Sequence, residues 1–269
     1  MKWWKLVLII VGALSVTALG IDAADTITGS RTTLLASLIH APEPSLCPAG
    51  MVVLKNNEHM ICVDAYEAGV GKECPRTEPA SLQDTLQNMN VTGCQPVSAP
   101  GVMPWRFVPF RIAEQLCARA GKTLITPQVW YDAALGTVDS DATCPVAQSL
   151  TKTGERAECR SGIGAFDMIG NVWELVSGEV VDGVRDGQKM PTSGYVDSVN
   201  DAGLASATAA QPNPIYGNDY FWSEATGTYA MMRGGYYNGR TDAGLFSTQA
   251  TIAEDFAGGA VGFRCMLVL

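Results

Sequence analysis

The sequence predicts an α+β domain with a large irregular fraction, exported from the cytoplasm and stapled by disulfides. Three observations carry this expectation. Eight cysteines all follow an apolar N-terminal segment, two helices are readable between Pro109 and Ala134, and the glycine-rich remainder shows no long apolar periodicity. The 269 residues suffice for one large domain or two small ones, and a hydrophobic content of 47% allows a sizeable core. The formal net charge is −9, with no run of Lys or Arg after residue 5. Nucleic acid and anionic lipid are therefore poor partners, since neutralising phosphate needs a basic face.

Residues 1–24 read as an export signal or a membrane anchor. Lys2 and Lys5 form a charged start, Leu6 to Leu19 an apolar run, and Asp22 ends it. The run has the length of a signal-peptide core and is short for a membrane span. Ala18-Leu19-Gly20 offers small residues for cleavage, whereas Trp3 and Trp4 suit an uncleaved anchor at the interface. Either reading places the body at the cell surface, in the periplasm or anchored to a membrane. Residues 25–46 are polar and threonine-rich, with Pro42 and Pro44, and read as a stalk carrying one short helix, Thr32 to Ile39.

The globular domain is expected over residues 47–269. Met51 to Leu54 and Met60 to Val63 flank Asn56-Asn57 as a β-hairpin. Residues 70–100, rich in Pro, Thr, Asn and Gly, read as a long loop that Cys74 and Cys94 can close. Pro109 to Ala120 places Ile112, Ala113, Leu116, Cys117 and Ala120 on one helical face, and Gly121 stops it. A second helix begins at Thr126, with Pro127 at its first position, and runs through Val129, Trp130, Ala133 and Ala134. Beyond Gly136 the chain reads as loops and short strands. No cysteines form a C-x-x-C pair, so zinc and thioredoxin-type chemistry lack their spacing. Four disulfides fit an oxidising compartment, but on the order of 100 connectivities are open to eight cysteines.

Four stretches carry a resemblance to a known family. They are Cys47–Ala68 (CPAGMVVLKNNEHMICVDAYEA), Pro109–Ala134 with its AGKTLITPQVWYDAA, Gly164–Val176 (GAFDMIGNVWELV), and Arg233–Cys265, which opens RGG and closes VGFRC. In this order they resemble the sulfatase-modifying-factor family, whose founding member is the formylglycine-generating enzyme. The resemblance implies a C-type lectin-like fold and a disulfide from the first family helix to the last strand, Cys117–Cys265. A loop of that size stabilises by about 4 to 5 kcal/mol in the chain-entropy model. Proximity then pairs Cys47–Cys62, Cys74–Cys94 and Cys144–Cys159.

The family's enzymes use two nearby C-terminal cysteines, and this chain offers only Cys265 there. Other catalytic groups are equally thin. His40 lies in the stalk and His59 beside a turn, while Asp139 with Asp141 and Glu254 with Asp255 read as solvated loop carboxylates. Gly162 and Gly164 lack the third glycine of a dinucleotide loop, and Asn90-Val91-Thr92 is a glycosylation sequon expected by chance. The resemblance further implies one structural Ca2+ held by the Asp167 and Glu174 side chains with the Gly170 and Val172 carbonyls. The alternative is that Trp173 is core and Glu174 pairs with an arginine.

Residues 233–265 also resemble the variable region of retroelement-diversified proteins of the same fold. The frame is Arg233–Gly235, Ala243–Phe246 and Gly262–Cys265. The side chains between them would bind ligand: Tyr236, Tyr237, Asn238, Thr241, Asp242, Gln249, Thr251, Ile252 and Phe256. Aromatic rings with small polar neighbours suit recognition, and Trp222 and Tyr229 are expected to border the same surface. The expected function is non-catalytic binding of a protein or cell-surface ligand, with a formylglycine-generating enzyme as the alternative.

Overall fold

The computed structural model describes residues 46–55, 60–140, 142–147 and 149–269. The export segment, the stalk with its helix, the Asn56-Asn57 turn, His40, His59 and Asp141 lie outside the described residues. Among the described residues no helix is long and apolar enough to cross a membrane.

The hairpin forms as its sequence predicts, with β1 (Met51–Lys55) antiparallel to β2 (Met60–Asp64). The C-terminal strand β15 (Cys265–Val268) pairs β2, and the short β5 (Thr123–Leu124) pairs β15, closing a four-stranded sheet. β3 (Gly69–Val70) and β4 (Pro96–Val97) form a two-stranded ladder.

The larger sheet comes wholly from the chain beyond Gly136. Its strands are β6 (Trp173–Val181), β7 (Val184–Arg185), β8 (Gln188–Lys189), β9 (Gly194–Val199), β10 (Ala205–Ala209), β11 (Tyr220–Ser223), β12 (Thr228–Arg233), β13 (Thr248–Ile252) and β14 (Val261–Phe263). The order is β10-β9-β11-β13-β12-β6-β7-β8, with β14 parallel to β6 on the side of Trp173 to Leu175. Strand content thus exceeds helix content: where an α+β mix was expected, the described residues are mostly β with a few helices.

Three α-helices among the described residues complete the fold. In α1 (Leu82–Met89), the Ser81 hydroxyl accepts from Asp84 N–H at 3.2 Å while the Asp84 carboxylate accepts from Ala80 N–H at 3.1 Å. This helix corrects the reading of residues 70–100 as loop throughout: the Ser81-Leu82-Gln83-Asp84 cap outweighs the surrounding turn formers. α2 (Phe110–Arg119) buries Phe110, Ala113, Leu116 and Cys117, and α3 (Pro127–Ala134) is capped by the Thr126 hydroxyl on Val129 N–H at 3.2 Å.

The helices divide the core between them. α2 packs with Trp105, Trp173, Leu175, Met232 and Phe263. α3 packs with Val176, Val180, Met231 and Ala250 from alternate positions of the same strands. The four disulfides are Cys47–Cys62, Cys74–Cys94, Cys117–Cys265 and Cys144–Cys159, the four expected pairs. Cys117–Cys265 ties α2 to β15 across 148 residues of chain, and no cysteine is free.

Candidate functional site

Two regions attract attention, a buried charged cluster where the metal was expected and an uncharged groove where the ligand was expected. The cluster forms because β14 and β15 carry Arg264 between them, beside β6 and its Glu174. Arg264 is fully buried. Its Nε donates to both Glu174 oxygens at 2.9 and 2.7 Å, and its Nη2 to Glu174 Oε1 at 2.5 Å. Further donations run from Nη1 to the Asp64 carbonyl at 2.9 Å and from Nη2 to the Phe166 carbonyl at 2.8 Å. Trp130 Nε1–H completes Glu174 at 2.7 Å.

Glu67, from the Asp64-Ala65-Tyr66-Glu67 stretch after the hairpin, is a second buried carboxylate that sequence reasoning passed over. It accepts from Asn171 Nδ2–H at 2.6 Å and Val172 N–H at 3.1 Å. Burial, then the charges of Asp167 and Glu174, push its pKa well above the usual range. Asp167 accepts from Gly154 N–H at 2.6 Å through Oδ2, while its buried Oδ1 has no partner. Burial raises its pKa to about 6.

The predicted calcium set falls in this cluster. Asp167, Gly170, Val172 and Glu174 do lie on one turn into β6, but Glu174 has both oxygens engaged by Arg264 and Trp130. An ion at Glu174 would have to displace the Arg264 guanidinium. Among the described residues no three His, Cys, Asp or Glu side chains are grouped to hold a metal ion. Glu174 pairs with an arginine and Trp173 is buried core, the alternative given to these residues above.

A second pair of buried charges holds the chain entering β13. Asp219, 1% exposed, accepts from Phe246 N–H at 2.7 Å. Burial raises its pKa to about 7. Arg233 donates to the carbonyls of Ala202, Gly203 and Leu245 and lies 4.7 Å over the Trp130 ring. Gly235 follows with φ of +82°, and a Cβ there would fall 2.2 Å from Ala243 Cα. The RGG and AGLF segments therefore meet backbone to backbone, which explains the glycine in that frame.

The groove lies on the sheet face that α2 covers only in part. Trp173, Met232, Tyr236, Ile252, Phe256 and Val261 line about 320 Å³, with Gln249 and the Gly258–Ala260 backbone at its rim. Among the described residues no charged side chain lines it. Of the predicted ligand residues it gathers Tyr236, Gln249, Ile252 and Phe256, the last 46% exposed. Tyr237 stands edge-on to Tyr236 at 5.5 Å, and Thr251 donates to Gln249 Oε1 at 2.6 Å.

Asn238, Thr241 and Asp242 are not among the groove residues. Thr241 and Asp242 sit on a 3-10 turn whose Arg240 N–H bonds the Val146 carbonyl, near the Cys144–Cys159 loop, and Asn238 lies on the turn just before it. The Thr241 side chain is outside the described residues. Trp222 borders the groove through an edge contact with Trp173 at 6.1 Å, whereas Tyr229 is not among the lining residues. Trp173, Met232 and Val261 were missed as lining residues because each also serves the core. Their signal was alternation, with Trp173/Leu175 and Met232 facing the same side.

Comparison with known proteins gives a family match over part of the chain. Residues 137–268 match the family model described as Sulfatase-modifying factor enzyme 1-like domain. No curated protein matches. Among solved structures, the chain is similar to the Major Tropism Determinant U1 variant at 16% identity and a TM-score of 0.45, over 84% of this chain and 54% of that one. The chain therefore spans about half the length of those determinants. PvdO from Pseudomonas aeruginosa is similar at 14% identity and a TM-score of 0.41, over 78% of this chain and 81% of that one. Treponema denticola variable protein 1 is similar at 13% identity and a TM-score of 0.42, over 80% and 94%. At these identities and TM-scores the likenesses carry no functional inference.

Proposed function

We propose that this chain is an exported, non-catalytic binding domain of the C-type lectin-like, formylglycine-generating-enzyme type. It takes an apolar group of a protein or cell-surface ligand into the groove between β6, β12 and β13. The observation that carries this reading is convergence. Four residues chosen from sequence as ligand contacts, spread over Tyr236 to Phe256, line one uncharged depression on a frame fixed by disulfides and buried charges. A rigid frame under a solvent-facing groove lets the contact residues change at little cost to the fold.

The decisive test is panning a random-peptide display library on the full chain and on Ile252→Glu. Peptides enriched for an aromatic or aliphatic anchor and lost on Ile252→Glu support the reading. Equal binding to both removes it. Diversification of residues 233–265 is a separate part of the proposal. It is tested in genomic DNA by a nearby template copy differing at adenines beside a reverse-transcriptase gene.

The enzyme alternative is favoured by the family match over residues 137–268. Against it, oxidation through a C-terminal thiol pair finds every thiol in a disulfide. A copper-dependent rate of cysteine oxidation in a substrate peptide would reinstate it. A structural Ca2+ is kept in the proposal as an exchange with Arg264. The surplus of buried carboxylates, Glu67, Asp167 and Glu174 against one guanidinium, supports it. A melting temperature equal in Ca2+ and EDTA would remove it.

A further inference from the structure

Resting on that binding role, we infer that the recognition surface continues from the groove across β13, β11 and β9, and is built for an extended, uncharged stretch of polypeptide. Tyr220 and Trp222 leave β11 on one face while Phe221 between them is fully buried on the other. Tyr195 faces Tyr220 across the β9–β11 ladder. The rings form a chain: Tyr195 to Tyr220 at 5.1 Å, Tyr220 to Trp222 at 4.8 Å, and Trp222 to Trp173 at 6.1 Å. Trp173 is a wall of the groove at one end. At the other, Tyr195 and Tyr220 join Thr192, Ser193 and Thr208 around a second depression of about 400 Å³.

Charge and length narrow the occupant. Among the described residues neither depression is lined by a charged side chain, although the whole chain carries a formal −9. An acidic segment would be repelled by the molecule and find no counter-charge on the strip. From β9 to β6 the sheet order leaves four strand spacings, about 19 Å at ~4.8 Å each. An extended chain at ~3.3 Å per residue covers that with about six residues.

The rings are already packed on one another, so they supply contact area with little entropy to lose. Gln249, at the groove rim and beside Trp222 in the β11–β13 register, accepts from Thr251 through Oε1. A neutral oligosaccharide suits rings and hydroxyls equally well at the β9 end. In the groove its hydroxyls would face carbon and lose their hydrogen bonds, whereas an apolar side chain fills that volume without unpaired polar groups.

The test uses the peptides enriched on the full chain, resynthesised and titrated against Ile252→Glu, Trp222→Ala and Tyr195→Ser. Tyr195→Ser, at the rim, keeps the test intact should Trp222→Ala unfold. The expected peptides are uncharged and carry an apolar anchor, and each folded strip variant weakens them by about tenfold or more. Peptides lost on Ile252→Glu but within about twofold on both strip variants would overturn the extension and leave the groove reading standing. Peptides indifferent to Ile252→Glu, or no enrichment over an uncoated control, would overturn both. Cellohexaose that binds the chain and is lost on Trp222→Ala would overturn polypeptide as the occupant.

Discussion

Where β6 meets β14 and β15, Glu67, Asp167, Glu174 and Arg264 lie at no more than 1% exposure. On the face of the same sheet that α2 leaves partly open, the groove and the ring chain carry no charge, and Phe256 stands 46% exposed. Between these two regions charge is buried and apolar surface is open, the reverse of the usual distribution, although the core as a whole is apolar. The buried charges are directional: Arg264 reaches Glu174 and two carbonyls, so β6, β15 and the turn into β6 are held in one arrangement. The groove's walls Trp173, Met232 and Val261 belong to the core, but its mouth makes no such demands: Phe256 meets solvent and can be exchanged while the charged frame keeps the backbone in place.

If that division is right, variants of the frame should cost stability and variants of the groove should cost binding. The largest effect is expected from opening the longest staple. Replacing Cys117 and Cys265 together by Ala should lose about 4 to 5 kcal/mol in reversible denaturant unfolding, since the loop spans 148 residues. A loss below about 1 kcal/mol would show that the frame does not depend on this tie. Next is Arg264→Met, which leaves Glu174 buried without its cation. It should cost about 3 to 5 kcal/mol, measured the same way.

The pH dependence sharpens the comparison from the other buried pair. Burial raises the Asp219 pKa to about 7 from 3.8. The folded chain therefore binds this proton more tightly than the unfolded chain. Its share of stability is present below about pH 4 and is lost as pH rises through about 7, by on the order of a few kcal/mol. Asp167, raised to about 6, works in the same direction. Asp219→Asn should flatten that slope while still accepting from Phe246 N–H, and an unchanged slope in a pH series of melting curves would exclude Asp219 as its source.

The frame was more legible in the sequence than the recognition face. Thr126-Pro127 and the spacing Ala113, Leu116, Cys117 are local signals, and they place α3 and α2 to within a residue. The pairing Cys117–Cys265 followed from resemblance, because 148 residues of separation leave no local trace. Arg264 was read as a motif letter. Its burial against Glu174 depends on β14 and β15 flanking it beside β6, a relation among segments far apart in the chain. The ring chain was hidden for the same reason. Tyr195 and Tyr220 are 25 positions apart and become neighbours only through the β9–β11 ladder. Tyr236 and Phe256, chosen as aromatics between frame residues, fall in the groove, whereas Asn238, Thr241 and Asp242, chosen by the same rule, fall on a turn beside the Cys144–Cys159 loop.

The smallest expected effect is the most telling. Phe256 is half exposed at the groove mouth and makes no polar contact with the frame. Urea unfolding of Phe256→Ser, run beside titration of an enriched peptide, tests directly whether recognition and folding are separate. The account predicts stability within about 0.5 kcal/mol of the parent chain and a clear loss of peptide affinity. A stability loss of about 2 kcal/mol or more with affinity retained would contradict it, and would make the groove part of the core.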